Sequence, residues 1–176
     1  MNLSDLFFWT GAFNRTGLEN IRGDELAALL GPGANAGKGA EIAAFGPTIP
    51  TTGITPLDFS GSPTVNFDDL NFIQLGVDTA QFIIPANVAR VQLWVDFEWN
   101  SSAVGLREIR SFKNGASIGN VRFKQFPDAS GSTVHGFFVS QVFEAVEGDR
   151  FGFAVTQSSG GNLDVDSHQQ SITVLR

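Results

Sequence analysis

The chain is 176 residues long and 42% hydrophobic, and 18 acidic against 11 basic residues leave it a net charge of −7. The basic residues stand singly, which argues against nucleic acid and against acidic membranes as partners. No Cys is present, so disulfides, a thiol nucleophile and a Cys-ligated metal are excluded, while 17 Phe against no Tyr point to rings buried without a polar partner.

Residues 1–50 read as an N-terminal arm and linker, irregular or partly helical. Met1 to Trp9 lacks a basic leading region, and no stretch reaches the roughly 18 apolar residues of a membrane span, so neither a signal peptide nor membrane insertion is expected. Leu3, Leu6, Phe7, Phe8 and Trp9 crowd apolar side chains into the first nine residues. They are candidate anchoring residues, because a cluster of that kind marks an interface. Asp24 is a suitable N-cap for the run Leu26 to Leu30, and Gly31 and Pro32 stop it. The tripeptide Arg22-Gly23-Asp24 therefore reads as a helix start before it reads as an adhesion signal. Gly31 to Gly46 is flexible by composition, and Pro47 to Pro56 is extended. The stretch "GANAGKG" fails as a phosphate loop: its first glycine would fall at Pro32, and Gly39 stands where Ser or Thr should follow Lys38.

Residues 51–176 read as one head domain of strands broken by turns. Strands are predicted at Ile54 to Phe59, Leu70 to Leu75, Ala80 to Ile84, Val88 to Trp99, Leu106 to Lys113, Asn120 to Phe126, Thr133 to Phe143, Arg150 to Gln157 and Ser171 to Leu175. Turn signals at Asn114-Gly115, Pro127 to Gly131, Glu147 to Asp149 and Ser158 to Asn162 separate the later ones. The pattern is clearest where Val91, Leu93, Val95, Phe97 and Trp99 alternate with Gln92, Asp96 and Glu98. Trp94 breaks that alternation. Eight or nine such strands predict an all-β protein, an antiparallel two-sheet jelly-roll sandwich behind a short arm. In Thr133 to Phe143, Phe137, Val139 and Phe143 on one face and Phe138 and Val142 on the other are all apolar. In a sandwich one face of a strand looks into the core, so the other is expected to meet another subunit, the plainer alternative being cover by the arm or a loop.

Four segments together resemble the jelly-roll superfamily of tumour necrosis factor and the complement globular heads. They are "FIIPANVARVQLWVDFEW" (Phe82 to Trp99), "REIRSFKNGASIG" (Arg107 to Gly119), "FEAVEGDRFGFAVTQSSGGNLDV" (Phe143 to Val165) and "SITVLR" (Ser171 to Arg176). In that family a strand ending in phenylalanine, any residue, isoleucine and proline precedes a long strand, and a charged strand ends in Lys-Asn-Gly. A Gly-Asp turn opens the penultimate strand, and a short apolar strand closes the chain. The family often has Gly-Tyr after the proline, where this chain has Asn87-Val88. The resemblance implies a homotrimer with one sheet of each protomer around the three-fold axis. Similar heads occur on bacteriophage head fibres, tail fibres and decoration proteins, joined to the particle by an N-terminal arm. A virion protein assembled in the bacterial cytoplasm, bound to other virion proteins through its arm and in contact with a host surface, is the expectation.

Other chemistry is sparse. On an extended strand Asp164, Asp166 and His168 would point one way and offer ligands to a hard cation such as calcium, with Asp68 and Asp69 as further donors, although acidic loops are more often simply solvated. No other cofactor is expected. His135 and His168 sit in no nucleophile motif, and Asp96 and Glu98, about 7 Å apart on a polar strand face, are ordinary there. The chain is therefore not expected to be an enzyme. The competing expectation is a carbohydrate-binding module of a surface or secreted bacterial protein, with Trp94 as the sugar platform.

Overall fold

A computed structural model describes residues 35–51, 53–100, 104–125 and 134–175. The proposed anchor Leu3, Leu6, Phe7, Phe8 and Trp9, and the helix start at Asp24, lie outside the described residues.

The regular elements of the described residues are antiparallel strands joined by turns and loops. They are β1 (Gly39–Phe45), β2 (Thr48–Ile49), β3 (Thr55–Pro56), β4 (Gly61–Asp68), β5 (Phe82–Ile83), β6 (Arg90–Trp99), β7 (Arg107–Lys113), β8 (Ala116–Gln125), β9 (Val134–Val139), β10 (Phe143–Glu144), β11 (Arg150–Gln157) and β12 (Leu163–Val174). A seven-stranded sheet runs β10-β6-β12-β1-β4, with β9 also on β6 and β2 also on β12. A five-stranded sheet runs β3-β11-β7-β8, with β5 also on β11. The two form a jelly-roll sandwich.

One core lies between the sheets. From β6 come Val91, Leu93, Val95, Phe97 and Trp99, none more than 2% exposed. Phenylalanines bridge the layers: Phe138 of β9 meets Phe153 of β11 edge-on with centroids 5.8 Å apart, and Phe143 of β10 stacks on Phe151 at 5.7 Å. Rings without a hydroxyl fill this space with no polar atom to satisfy, which accounts for the Phe-rich, Tyr-free composition. At the sandwich end, Asn114 and Gly115 take positive φ of 49° and 83°, as a two-residue hairpin turn between β7 and β8 demands. Burial alone would raise the Asp149 carboxyl. Hydrogen bonds from Lys113, Asn114 and the Val146 N–H, with the Lys113 charge, outweigh that and hold it below the ordinary carboxylate value.

Three expectations are corrected. The segment read as a linker contains β1, which sits inside the seven-stranded sheet between β12 and β4, so the head reaches back to Asn35 rather than starting at residue 51. Its Ala40, Ile42 and Ala44 are buried and alternate with Glu41, Ala43 and Phe45, a period of two in residues too small to stand out. Gly39 is required by closeness: a Cβ there would come within 2.3 Å of the Ile172 carbonyl oxygen. Second, Leu70 to Leu75 is no strand. The Asp68 carboxylate accepts the Phe72 and Ile73 N–H groups, both at 2.8 Å, and curls the chain into a turn.

The third correction concerns Thr133 to Phe143, whose five apolar residues do not form one interface. The strand breaks at Ser140, whose N–H donates to the Leu93 carbonyl at 2.8 Å while its Oγ accepts the Leu93 N–H at 3.0 Å. The break shifts the alternation. Phe138 and Phe143 are buried in the protomer's own core, Phe137 and Val139 face outward, and Val142 lies exposed in the connection to β10.

Candidate functional site

The outer face of the seven-stranded sheet carries the chain's concentrated surface chemistry. On one side β6 and β9 raise an apolar ridge. Trp94 lies directly opposite Val139, and its ring meets Phe137 diagonally with centroids 5.8 Å apart. Phe137 remains 57% exposed and Val139 42%. Trp94, out of step with its strand's polar face by sequence, is half-buried against Phe137 and forms the base of this ridge.

Beside the ridge runs an open groove of about 430 Å³. Ala43 of β1 and Ser167 of β12 line its floor, where short side chains leave the sheet low, and Gln169 of β12 adds a carboxamide to the lining. Asp96, Glu98 and His135 stand along one wall, with Ser62 and Thr64 of β4 along the other. Glu98 Oε1 lies 3.4 Å from His135 Nε2. Phe45, 63% exposed, closes the β1 end. The face therefore offers a flat aromatic ridge for packing and a valley of hydroxyl, amide and carboxylate groups. The groove walls come from five strands distant in sequence; the sequence singled out Trp94, Phe137 and Val139 of the ridge, but set aside Asp96, Glu98 and His135 of the groove.

The predicted cation cluster is not assembled. A register shift between Val165 and Ser167 in the β12–β6 pairing interrupts the alternation, so Asp164 and Asp166 are exposed while His168 turns inward and is 3% exposed. Asp164 accepts a hydrogen bond from Thr48 Oγ1. Asp68 is engaged by the Phe72 and Ile73 amides, and Asp69 accepts the Gly39 N–H at 3.1 Å. Among the described residues no three His, Asp or Glu side chains converge as metal ligands.

Inside the sandwich His168 and Gln170 form a buried polar pair facing the β3–β4 connection. The His168 ring lies 6.4 Å from the Phe59 ring, centroid to centroid. Burial pushes the His168 pKa down, partly countered by its hydrogen bond to the Asp58 backbone and by the Asp58 charge.

No protein-family model and no curated protein matches the chain. Solved structures do. The globular domain of zebrafish complement 1qA protein superposes with a TM-score of 0.53 at 11% identity, covering 78% of this chain and 96% of that one. PRD1 vertex protein P5 does so with a TM-score of 0.52 at 11% identity, covering 80% and 99%. The match spans nearly the whole of both of those structures, and the fold shared with them is a two-sheet jelly-roll sandwich.

Proposed function

We propose that this chain is a structural virion protein. Its jelly-roll head self-associates into a homotrimer through the outer face of the seven-stranded sheet, and its N-terminal arm attaches it to a bacteriophage particle as a fibre, spike or decoration. The observation that carries this reading is the Trp94–Phe137–Val139 ridge, an aromatic surface left open on a sheet face, in a chain whose resemblance implies that one sheet of each protomer packs around a three-fold axis. The fold shared with a phage vertex protein supports the virion setting. No catalysis is assigned to it. Light scattering on the purified protein is expected to give about three times 18.8 kDa, and a monodisperse monomer at micromolar concentration overturns the trimer. For the arm, Phe8→Ala with Trp9→Ala is expected to leave the trimer and its melting temperature unchanged while the protein no longer co-purifies with particles; wild-type incorporation overturns the anchor.

A second reading, saccharide binding, is favoured by the groove itself. Ser62, Thr64, Asp96, Glu98 and Gln169 supply hydroxyl-matching donors and acceptors beside the exposed Phe45 ring, the combination that holds a sugar. Glycan-array binding by the wild type that is lost in Phe45→Ala would favour this reading, and an empty array removes it.

A further inference from the structure

Between β3 and β4 the chain crosses from the five-stranded to the seven-stranded sheet, and Leu57 and Phe59 of this crossing are at most 1% exposed. On one side backbone bonds hold it: the Leu57 N–H donates to the Phe153 carbonyl at 2.9 Å, and the Phe59 N–H donates to the Thr79 carbonyl. On the other side two side chains of β12 do so. Gln170 Nε2 donates to the Leu57 carbonyl at 2.9 Å, and His168 Nε2 lies 2.9 Å from the Asp58 carbonyl. The same Gln170 nitrogen lies 3.2 Å from His168 Nδ1.

These contacts determine the protonation state. A carbonyl oxygen only accepts, so His168 Nε2 carries the ring hydrogen and Nδ1 accepts the second amide hydrogen of Gln170. The ring is neutral, in one tautomer, with both nitrogens used. Gln170 Oε1 is buried with no hydrogen-bond partner.

We propose that His168 and Gln170 are a proton-operated latch, in which protonation of His168 releases the Leu57–Phe59 crossing from β12. A second ring hydrogen, at Nδ1, would point at the Gln170 NH2, two donors face to face. The carboxamide relieves this by turning its idle Oε1 toward Nδ1. Turning withdraws Nε2 from the Leu57 carbonyl and leaves a buried acceptor unpaired, which is costly. The crossing then loses one of its two ties to β12, and the bonds of the Leu57 and Phe59 N–H groups to Phe153 and Thr79, left to hold it, open more often.

The charged group facing the ring is Asp58, whose carboxylate is engaged by the Ser60 N–H and Oγ and favours the cation. The residues paired with His168 on the neighbouring strands are Phe97 of β6 and Ala44 of β1, neither ionisable. Asp96 and Glu98 of β6 stand in the outer groove, Glu41 of β1 bonds Asn66, and Asp166 of β12 is exposed. Because burial outweighs Asp58, the closed latch binds a proton less readily than the open one. Opening is therefore favoured as pH falls below the ordinary histidine value of about 6.5, and closure is complete above it.

Hydrogen exchange on the full chain tests this. Protection factors of the Leu57 and Phe59 amides are expected to fall by about tenfold per pH unit below about 6.5, until the closed-state pKa is reached, while β6 amides keep theirs. In His168→Gln the dependence should vanish. A parallel fall of β6 amides, no fall at Leu57 and Phe59, or an unchanged slope in His168→Gln overturns the latch. Should that variant not fold, an NMR titration of the wild type decides. With His135→Asn assigning the two histidines, the Leu57 and Phe59 amide shifts must share the His168 midpoint, and separate midpoints overturn the proposal.

Discussion

The two faces of β6 use similar residues to opposite ends. Inward, Val91, Leu93, Val95, Phe97 and Trp99 are sealed by the five-stranded sheet, and the largest of them, Trp99, is 1% exposed. Outward, Trp94 meets Phe137 and Val139 of β9, and those two remain open to solvent. Aromatic area sealed within the protomer stabilises the fold. The same kind of area left open on a sheet face is available to an interface. Adjacent residues thus answer to different selection: Gly136 is pressed under the Phe97 ring, and Phe137 stands in the open.

The most severe test of the inner side is truncation. A chain beginning at Thr52 loses β1, leaving β12 and β4 without the strand that joins them in the sheet. It is expected not to fold, and circular dichroism with a cooperative melt would show the contrary. Next comes Phe153→Ala, which removes a 0%-exposed ring that packs against Phe138 across the sandwich. A loss of about 4 kcal/mol is expected in denaturant titration. A value under about 1 kcal/mol would mean that the ring is not sealed in the core.

The Gly136 and Phe137 pair sharpens the comparison. A Cβ at Gly136 would sit 2.2 Å from Phe97 Cζ, so Gly136→Ala must displace a core ring and is expected to cost about 2 kcal/mol. One residue on, Phe137→Ser is expected to change protomer stability by no more than about 0.5 kcal/mol while dissociating the trimer on light scattering. If denaturation of the dilute protomer instead finds Phe137→Ser as costly as Gly136→Ala, the ridge belongs to the fold and the comparison fails. If Phe137→Ser keeps the wild-type mass, the ridge is not the interface.

Legibility followed the size of the side chains. The period of two in Val91 to Trp99 and the chain order of the later strands were readable because large apolar residues alternated with polar ones. β1 was not, since Ala40, Ile42 and Ala44 carry the same alternation with little volume. β4 lies at the sheet edge, paired among the described residues with β1, and it carries Pro63 and Asn66; its short alternation of Val65 and Phe67 stays exposed, so no buried face marked it as a strand. The Ser140 break and the shift at Val165 to Ser167 were likewise hidden. Each inserts a residue into the count and reverses the face of everything after it.

Sequence alone therefore determined the class of the fold, the inner face of β6 and Trp94 as the residue out of place, because local alternation is written into the order of residues and needs no partner. Only the tertiary structure decided that Phe138 and Phe143 belong to the core and Phe137 and Val139 to the surface. It also decided that His168 points away from Asp164 and Asp166, and that a polar groove from five strands lies beside the ridge. Those assignments depend on bulges and on pairings between residues far apart in the chain. A single shifted register exchanges inside for outside, and no local pattern records it.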